Sequence, residues 1–286
     1  MNSILDQMLS KYENKNIYDK KNSMKEVIQE IVLCGLSRAG FFKDAAFYGG
    51  TALRIFYDLD RFSEDLDFSL KKPDSNYNFG DFLPMLEKEV SSYGLNLKAE
   101  EKAKTTDSAV KSAFLKGNTK EHLLLFFNDS NKEVAANEVV KIKFEVDTNP
   151  PAFATYETKY RLLPVPYQVA MYDMPSLFSG KLHAVICRNW KKRIKGRDLY
   201  DYVFYLSRGT GFNLKHLQAR LEQTGHWDKN SVLTLQDVKN MLIARFEEID
   251  YVQARKDVLP FIKNTEILDL WSKEFFCAIT DSIRCR

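Results

Sequence analysis

The chain has 286 residues, 44% hydrophobic and 28% charged, with a formal net charge of +3. That length allows a sizeable core in one or two domains, and the composition is ordinary for a soluble globular protein. So small a net charge excludes an argument for nucleic-acid binding from bulk charge, and any such footprint must lie in local clusters. The four cysteines (Cys34, Cys187, Cys277, Cys285) show neither a Cys-x-x-Cys pair nor metal-ligand spacing, so reduced thiols in a cytoplasm are expected. Residues 1–25 carry charges of both signs without an apolar signal core. The most apolar run, Leu123–Phe127, is far too short to cross a bilayer. A cytoplasmic protein with no membrane partner is expected.

In chain order, residues 3–12 predict a short helix. Ser23-Met-Lys-Glu26 has the pattern of a capping box, with Ser23 at the N-cap. Val27, Ile28, Ile31, Val32 and Leu36 then form a helical apolar stripe ending near Gly40, with Cys34 a buried small residue. Ala45–Tyr48 reads as a strand broken by Gly49-Gly50, and Thr51 opens a helix carrying Leu53, Phe56 and Tyr57. Residues 80–93 predict a helix closed by Gly94. Segments near 95–101, 110–116, 121–127 and 139–147 read as strands, with Lys98–Lys111 containing a charged loop. Pro150-Pro151 ends the last of them, and Tyr167–Tyr172 adds an edge strand. From Pro175 onward the pattern is helical, with helices near 214–224, 234–247, 250–258 and 266–283, and Trp227 and Trp271 packed between them. Domains of 1–165 and 166–286 are expected.

Three stretches carry chemistry. The first is Tyr48-Gly49-Gly50-Thr51, followed by Ser63-Glu-Asp65-Leu-Asp67-Phe. A glycine turn at a helix N-terminus offers unpaired N–H groups and a positive dipole end to a phosphate. On a strand, Asp65 and Asp67 face one way, roughly 6.6–6.8 Å apart by rise. Acids so paired beside a phosphate-binding turn can hold Mg²⁺ against a triphosphate. Either half alone is as readily an ordinary turn or a solvated strand face; together and in this order they are more specific.

The second stretch is Val140–Asp147, where Lys141, Lys143, Glu145 and Asp147 share one strand face. It suits a half-exposed strand with Lys/Glu pairing, or a third carboxylate supplied by Glu145 or Asp147 with Lys143 near phosphate. Spacing alone does not choose. The third is a helix from Pro175 to about Trp190, with Lys181 and Arg188 about 20° apart around its axis. It runs into a segment of six basic residues and no acid (Arg188, Lys191, Lys192, Arg193, Lys195, Arg197). Such a run is ordinarily a solvated linker, but one unmixed in sign favours a nearby anion. Gly196 implies a loop there, Asp198 a cap for the next helix, and Asp201 an i, i+4 partner of Arg197. His183 lies off the Lys181 face and reads as structural.

The glycine turn followed by Asp-x-Asp resembles the nucleotidyltransferase superfamily. The fuller form, Gly-Gly-Thr-Ala-Leu-Arg with Arg61-Phe-Ser63-x-Asp65-Leu-Asp67-Phe, is similar to the AbiEii/AbiGii toxins of type IV toxin–antitoxin systems. The resemblance covers about 45–210. It implies an α+β or α/β fold, a nucleotidyltransferase-type mixed sheet with flanking helices, followed by an α-helical C-terminal domain, with an NTP bound between the two. It implies Asp65 and Asp67 as ligands of Mg²⁺ or Mn²⁺, and Gly49, Gly50, Thr51 and Ser63 at the nucleotide. It favours Lys143 and Glu145 in the second stretch. In the third it implies Lys181 for the triphosphate, with Lys195 as competitor, Arg188 beside it, and Asp198 as the functional acid. Lys191, Lys192, Arg193 and Arg197 are then expected to meet an RNA acceptor, a tRNA end, and a cognate antitoxin is an expected partner. A small-molecule acceptor such as an antibiotic, or a non-catalytic NTP/RNA-binding module, are the alternatives.

Overall fold

The computed structural model describes residues 3–101, 109–128, 133–190 and 194–286. The chain forms two compact units. The first takes Met1–Phe56, Ser63–Pro150 and Thr158–Met171; the second takes Tyr57–Phe62, Pro151–Glu157 and Tyr172–Arg286.

The first unit is built on α2 (Ile17–Arg38), preceded by α1 (Ser3–Leu9). Every residue from Met24 to Leu36, except Lys25, is buried, so the helix is enclosed on nearly all sides. It begins six residues before the expected capping box, and Asn16 is its cap, accepting from the Asp19 amide. Ser23 is mid-helix, its hydroxyl turned to Asn14 Oδ1 at 2.5 Å, and Glu26 is taken by Arg54 at 2.8 Å. Tertiary partners for both residues override the local cap signal.

A seven-stranded mixed sheet lies against this helix. Its strands are β1 (Ala45–Tyr48), β2 (Asp65–Leu70), β3 (Lys98–Glu101), β4 (Val110–Asn118), β5 (Val139–Asp147), β6 (Tyr156–Arg161) and β7 (Tyr167–Tyr172), in the order β3-β4-β5-β2-β1-β7-β6. β2 runs antiparallel to β1 and parallel to β5, while β5 is antiparallel to β4. α3 (Gly49–Tyr57) follows β1 without a loop, and α4 (Leu83–Ser92) packs on α2. One sheet face is dry: Leu66, Phe68, Val140, Ile142, Phe144 and Val146 are all at most 2% exposed. Phe41, Phe47, Phe68 and Phe79 interlock beside it through edge and tilted contacts.

Two expectations fail here. Residues 121–127 are not a strand but part of α5 (Thr119–Phe127), because Asn118 caps the turn by accepting from the Glu121 amide. Tyr167–Tyr172 is not the edge, since the alternating but half-polar Tyr156–Arg161 lies outside it. The charged stretch from Lys98 opens as strand β3, and residues 102–108 lie outside the described residues.

The second unit contains α6 (Met174–Cys187), α7 (Gly196–Ser207), α8 (Leu214–Gln223), α9 (Leu235–Phe246), α10 (Tyr251–Val258) and α11 (Lys273–Thr280). Glu266–Leu270 is a separate 3-10 turn rather than the start of the last helix. Trp271 is fully buried against Phe276, while Trp227 is only half-buried and donates to Ser231 O. Gly196 is not a loop residue: it opens α7, and a Cβ there would strike the Ala254 carbonyl of α10. Its small size lets the two backbones touch.

Opposite signs are therefore expected for two glycine substitutions in this unit. Gly196→Ala should cost about 1–3 kcal/mol through overpacking against backbone. Gly180→Ala lies mid-helix in α6, with nothing nearer than the Arg220 guanidinium at 3.8 Å, and should gain about 0.5–1 kcal/mol. Urea unfolding midpoints check both.

Candidate functional site

In the first unit the register assembles the acids. Across the parallel pair Asp65 lies opposite Lys143 and Asp67 opposite Glu145, while Ser69 is opposite Asp147. Tyr48 flanks Asp67 on β1, and Ser112 flanks Glu145 on β4. Asp65, Asp67, Lys143 and Glu145 are all half-buried on the face opposite the apolar one. Of the two candidates for a third carboxylate, Glu145 is thus the neighbour of Asp67. Asp147 stands two residues on and accepts from the Asn149 amide at 2.9 Å.

Gly49 meets two demands. Its φ of +84° is a region that side chains disfavour, and a Cβ there would collide with the Asp67 carboxylate. The N-terminus of α3 therefore closes directly onto Asp67, an arrangement its dipole favours. Thr51 is fully buried, and its hydroxyl donates to Asp65 O at 2.5 Å. Gln29 of α2 donates to Ser63 O at 3.1 Å and Glu64 O at 2.9 Å. Three successive carbonyls entering the acid strand are thus held by side chains from two helices. Gln29 carries no motif signal, because its partners are carbonyls 34 and 35 residues away.

Lys143 Nζ lies 2.6 Å from Glu145 Oε1. Burial works to lower its pKa, but Glu145, followed by Asp65 and Asp67, outweighs it and holds the ammonium above its ordinary range. The cation acts as the counter-charge of an acidic cluster. Among the described residues no three or more His, Cys, Asp or Glu side chains form a closed metal cage. Two hard carboxylates on one strand face do fit Mg²⁺, which keeps water and takes phosphate oxygens.

In the second unit a buried charge cluster links the basic helix to α7. Lys181 Nζ is 2.7 Å from Asp198 Oδ1 and 2.8 Å from Asp201 Oδ2. Arg61 pairs with Asp201 through Nε and a terminal nitrogen, both at 2.6 Å, and Arg188 reaches Asp198 Oδ2 at 2.6 Å. Asp198 is not the helix cap but a buried residue of the first turn. Asp201 does not pair with Arg197, which instead approaches Asp257 at 3.9 Å and lies over the Phe261 ring. The part played by Arg61 was hidden in the sequence, since its partner is 140 residues away. Lys195 precedes α7 at its N-cap; Lys191, Lys192 and Arg193 lie outside the described residues. His183 is spent on Thr224 Oγ1 at 3.0 Å, and burial, aided by Arg220, pushes its pKa down to about 3.

Burial alone would raise both aspartates. Lys181 and Arg188 outweigh it for Asp198, bringing it down to about 2, and Arg61 and Lys181 likewise lower Asp201. A folded-state carboxyl below its unfolded value contributes stability that is full above the unfolded pKa and lost as pH falls through the folded one. Stability of the second unit should therefore decline between about pH 4 and pH 2. Asp198→Asn should flatten that decline in pH-dependent thermal melts; an unchanged profile would remove Asp198 from the acid response.

Comparison with known proteins bears on these two clusters. A family model for the nucleotidyl transferase AbiEii toxin of type IV toxin–antitoxin systems matches residues 31–275. A search of curated proteins gives no match. Among solved structures, JHP933 from Helicobacter pylori is similar with a TM-score of 0.50 and 20% identity, over 90% of this chain and 89% of that one. A candidate nucleotidyltransferase from the same organism is similar with a TM-score of 0.50 and 21% identity, over 90% of this chain and 92% of that one. At such identities the two structures speak to the fold, an open mixed sheet with flanking helices. The family match spans both the acid strand and the buried charge cluster, and the chain belongs to the AbiEii family of nucleotidyltransferase toxins of type IV toxin–antitoxin systems.

Proposed function

We propose that this protein moves an NMP from an NTP to the hydroxyl of an RNA acceptor, a tRNA end, with release of pyrophosphate, and that this modification arrests growth until a cognate antitoxin relieves it. The observation that carries the reading is the register of β2 and β5, which sets Asp65, Asp67 and Glu145 on one face with Gly49 against Asp67.

Asp65 and Asp67 are assigned to hold Mg²⁺ or Mn²⁺, which when bound neutralises phosphate charge. The amides of Gly49, Gly50 and Thr51 receive the triphosphate at the start of α3, and Ser63 lies at the strand entrance. The acceptor oxygen forms a bond to the α-phosphorus as the bond from that phosphorus to the bridging oxygen breaks. Glu145 takes the acceptor proton, with Lys143 beside it at 2.6 Å. Lys181, Arg188 and Lys195 are assigned to the charge that develops on the departing pyrophosphate, with Asp198 orienting Lys181 and Arg188. Lys191, Lys192, Arg193 and Arg197 are assigned to the acceptor.

Incubation with each labelled NTP and total RNA, resolved on a gel, tests the reading. Asp65→Asn and Asp67→Asn should each reduce labelling by about 100-fold or more, and chelation of divalent cations should abolish it. Near wild-type labelling by either folded variant would dismiss the metal assignment; labelling of no RNA with any NTP would favour a small acceptor.

The two lysines need different controls. Lys181→Ala leaves two buried carboxylates one cation short and should cost roughly 3–5 kcal/mol of stability. Its expected loss of about 100-fold in transfer must therefore be read at a temperature where circular dichroism shows it folded. Lys195→Ala is scored in the same labelling assay; if it alone abolishes transfer, Lys195 is the triphosphate lysine.

A further inference from the structure

The acid-bearing sheet face carries a second pattern that the transfer chemistry does not use. Lys98 of β3 lies opposite Lys116 of β4, and Lys116 lies opposite Lys141 of β5, so three lysines form one row across three strands. We propose that this row binds the sugar–phosphate backbone of the RNA acceptor; the inference rests on the RNA-acceptor reading and names a surface for it.

Like charges directly opposite one another destabilise a sheet. Lysines do protect exposed sheet edges, but that accounts only for Lys98, because β4 and β5 are inner strands. The row spans about 10 Å at ordinary strand spacing. It shares its face with the acids: Lys141, Lys143 and Glu145 alternate along β5, and Lys141 stands about 13 Å from Glu145 by strand rise. A chain lying over the row can therefore direct its end toward Asp67.

The local charges suit an exchangeable anion. Lys98 is paired with Glu87 at 3.4 Å and Lys116 with Glu100, both in exposed surroundings where such pairs are worth about 0–1 kcal/mol. A phosphate can replace either carboxylate at small cost. Lys141 makes no ion pair among the described residues, and its ammonium rests 3.5 Å above the centre of the Phe114 ring. Lys116 approaches the same ring from 5.6 Å. Phe114 is nearly buried, so it serves as a floor that holds two ammonium groups in place rather than as a stacking platform.

The test is the salt dependence of binding of a short fluorescein-labelled single-stranded RNA, by anisotropy without nucleotide, from about 50 to 200 mM KCl. Each phosphate contact on a single strand contributes about 0.7 to the log–log slope. The Lys98→Gln, Lys116→Gln, Lys141→Gln triple variant should flatten the slope by about 2, and exposed Lys141→Gln alone by about 0.7. Lys141→Arg should retain the wild-type slope, and NTP affinity should be unchanged in all of them. An unaltered slope in the triple variant, or in Lys141→Gln should the triple variant fail to fold, overturns the proposal. Displacement of the RNA by polyglutamate at equal charge concentration also overturns it, assigning the row to an acidic polypeptide. Asp65→Asn protein in this assay keeps the wild-type slope if the row binds RNA, so failure of the transfer chemistry and failure of this surface are read separately.

Discussion

The acidic face depends on the pairing of one short strand. β2 is held on both sides, antiparallel to β1 and parallel to β5, and a slip of one residue on either side would turn Asp65 and Asp67 into the core and Leu66 and Phe68 out of it. Phe68 is fully buried among Phe41, Phe42 and Phe47, so that slip is strongly opposed. The hydrophobic side of the strand thus fixes the position of its polar side. Glu145 and Lys143 follow from the same register one strand away.

The second unit solves a different problem. Five charges are brought together with little water, and each aspartate meets two cations. Burying such groups is costly and stabilises little compared with a packed apolar core, but removing one partner is severe. The cluster is better understood as a positional device. It ties α6 to α7 through Lys181, and both to the segment at Arg61 of the same unit. Tyr200 reinforces that segment by donating to Asp60 Oδ1 at 2.7 Å.

Much of this was legible in the sequence, for reasons that can be named. The glycine turn, the alternating acids and the strand at Val139–Asp147 are local patterns, and local patterns survive folding when packing agrees with them. Where reading failed, a distant partner had intervened. Ser23 and Glu26 look like a cap until Asn14 and Arg54 are seen beside them. Asp201 has a plausible partner at Arg197, yet a bidentate guanidinium from a remote segment takes it instead. Thr119–Phe127 has strand-like residues, but the Asn118 cap starts a helix. Gly196 shows the same limit: a glycine among charges suggests a loop, and only the nearness of Ala254 reveals a packing site.

The carbonyls of Ser63, Glu64 and Asp65 are fastened by Gln29 and Thr51, which are themselves fully buried. Local opening of a strand ordinarily begins at such an entrance, where backbone groups are released to solvent first. Here that release would require drawing apart α2, the most enclosed helix of the unit, and α3. The free energy of opening at the acid pair is thereby raised toward that of unfolding the whole unit, and slow amide exchange is the signature of such a segment. The two acids are consequently presented from a backbone whose entrance is fastened at three successive carbonyls.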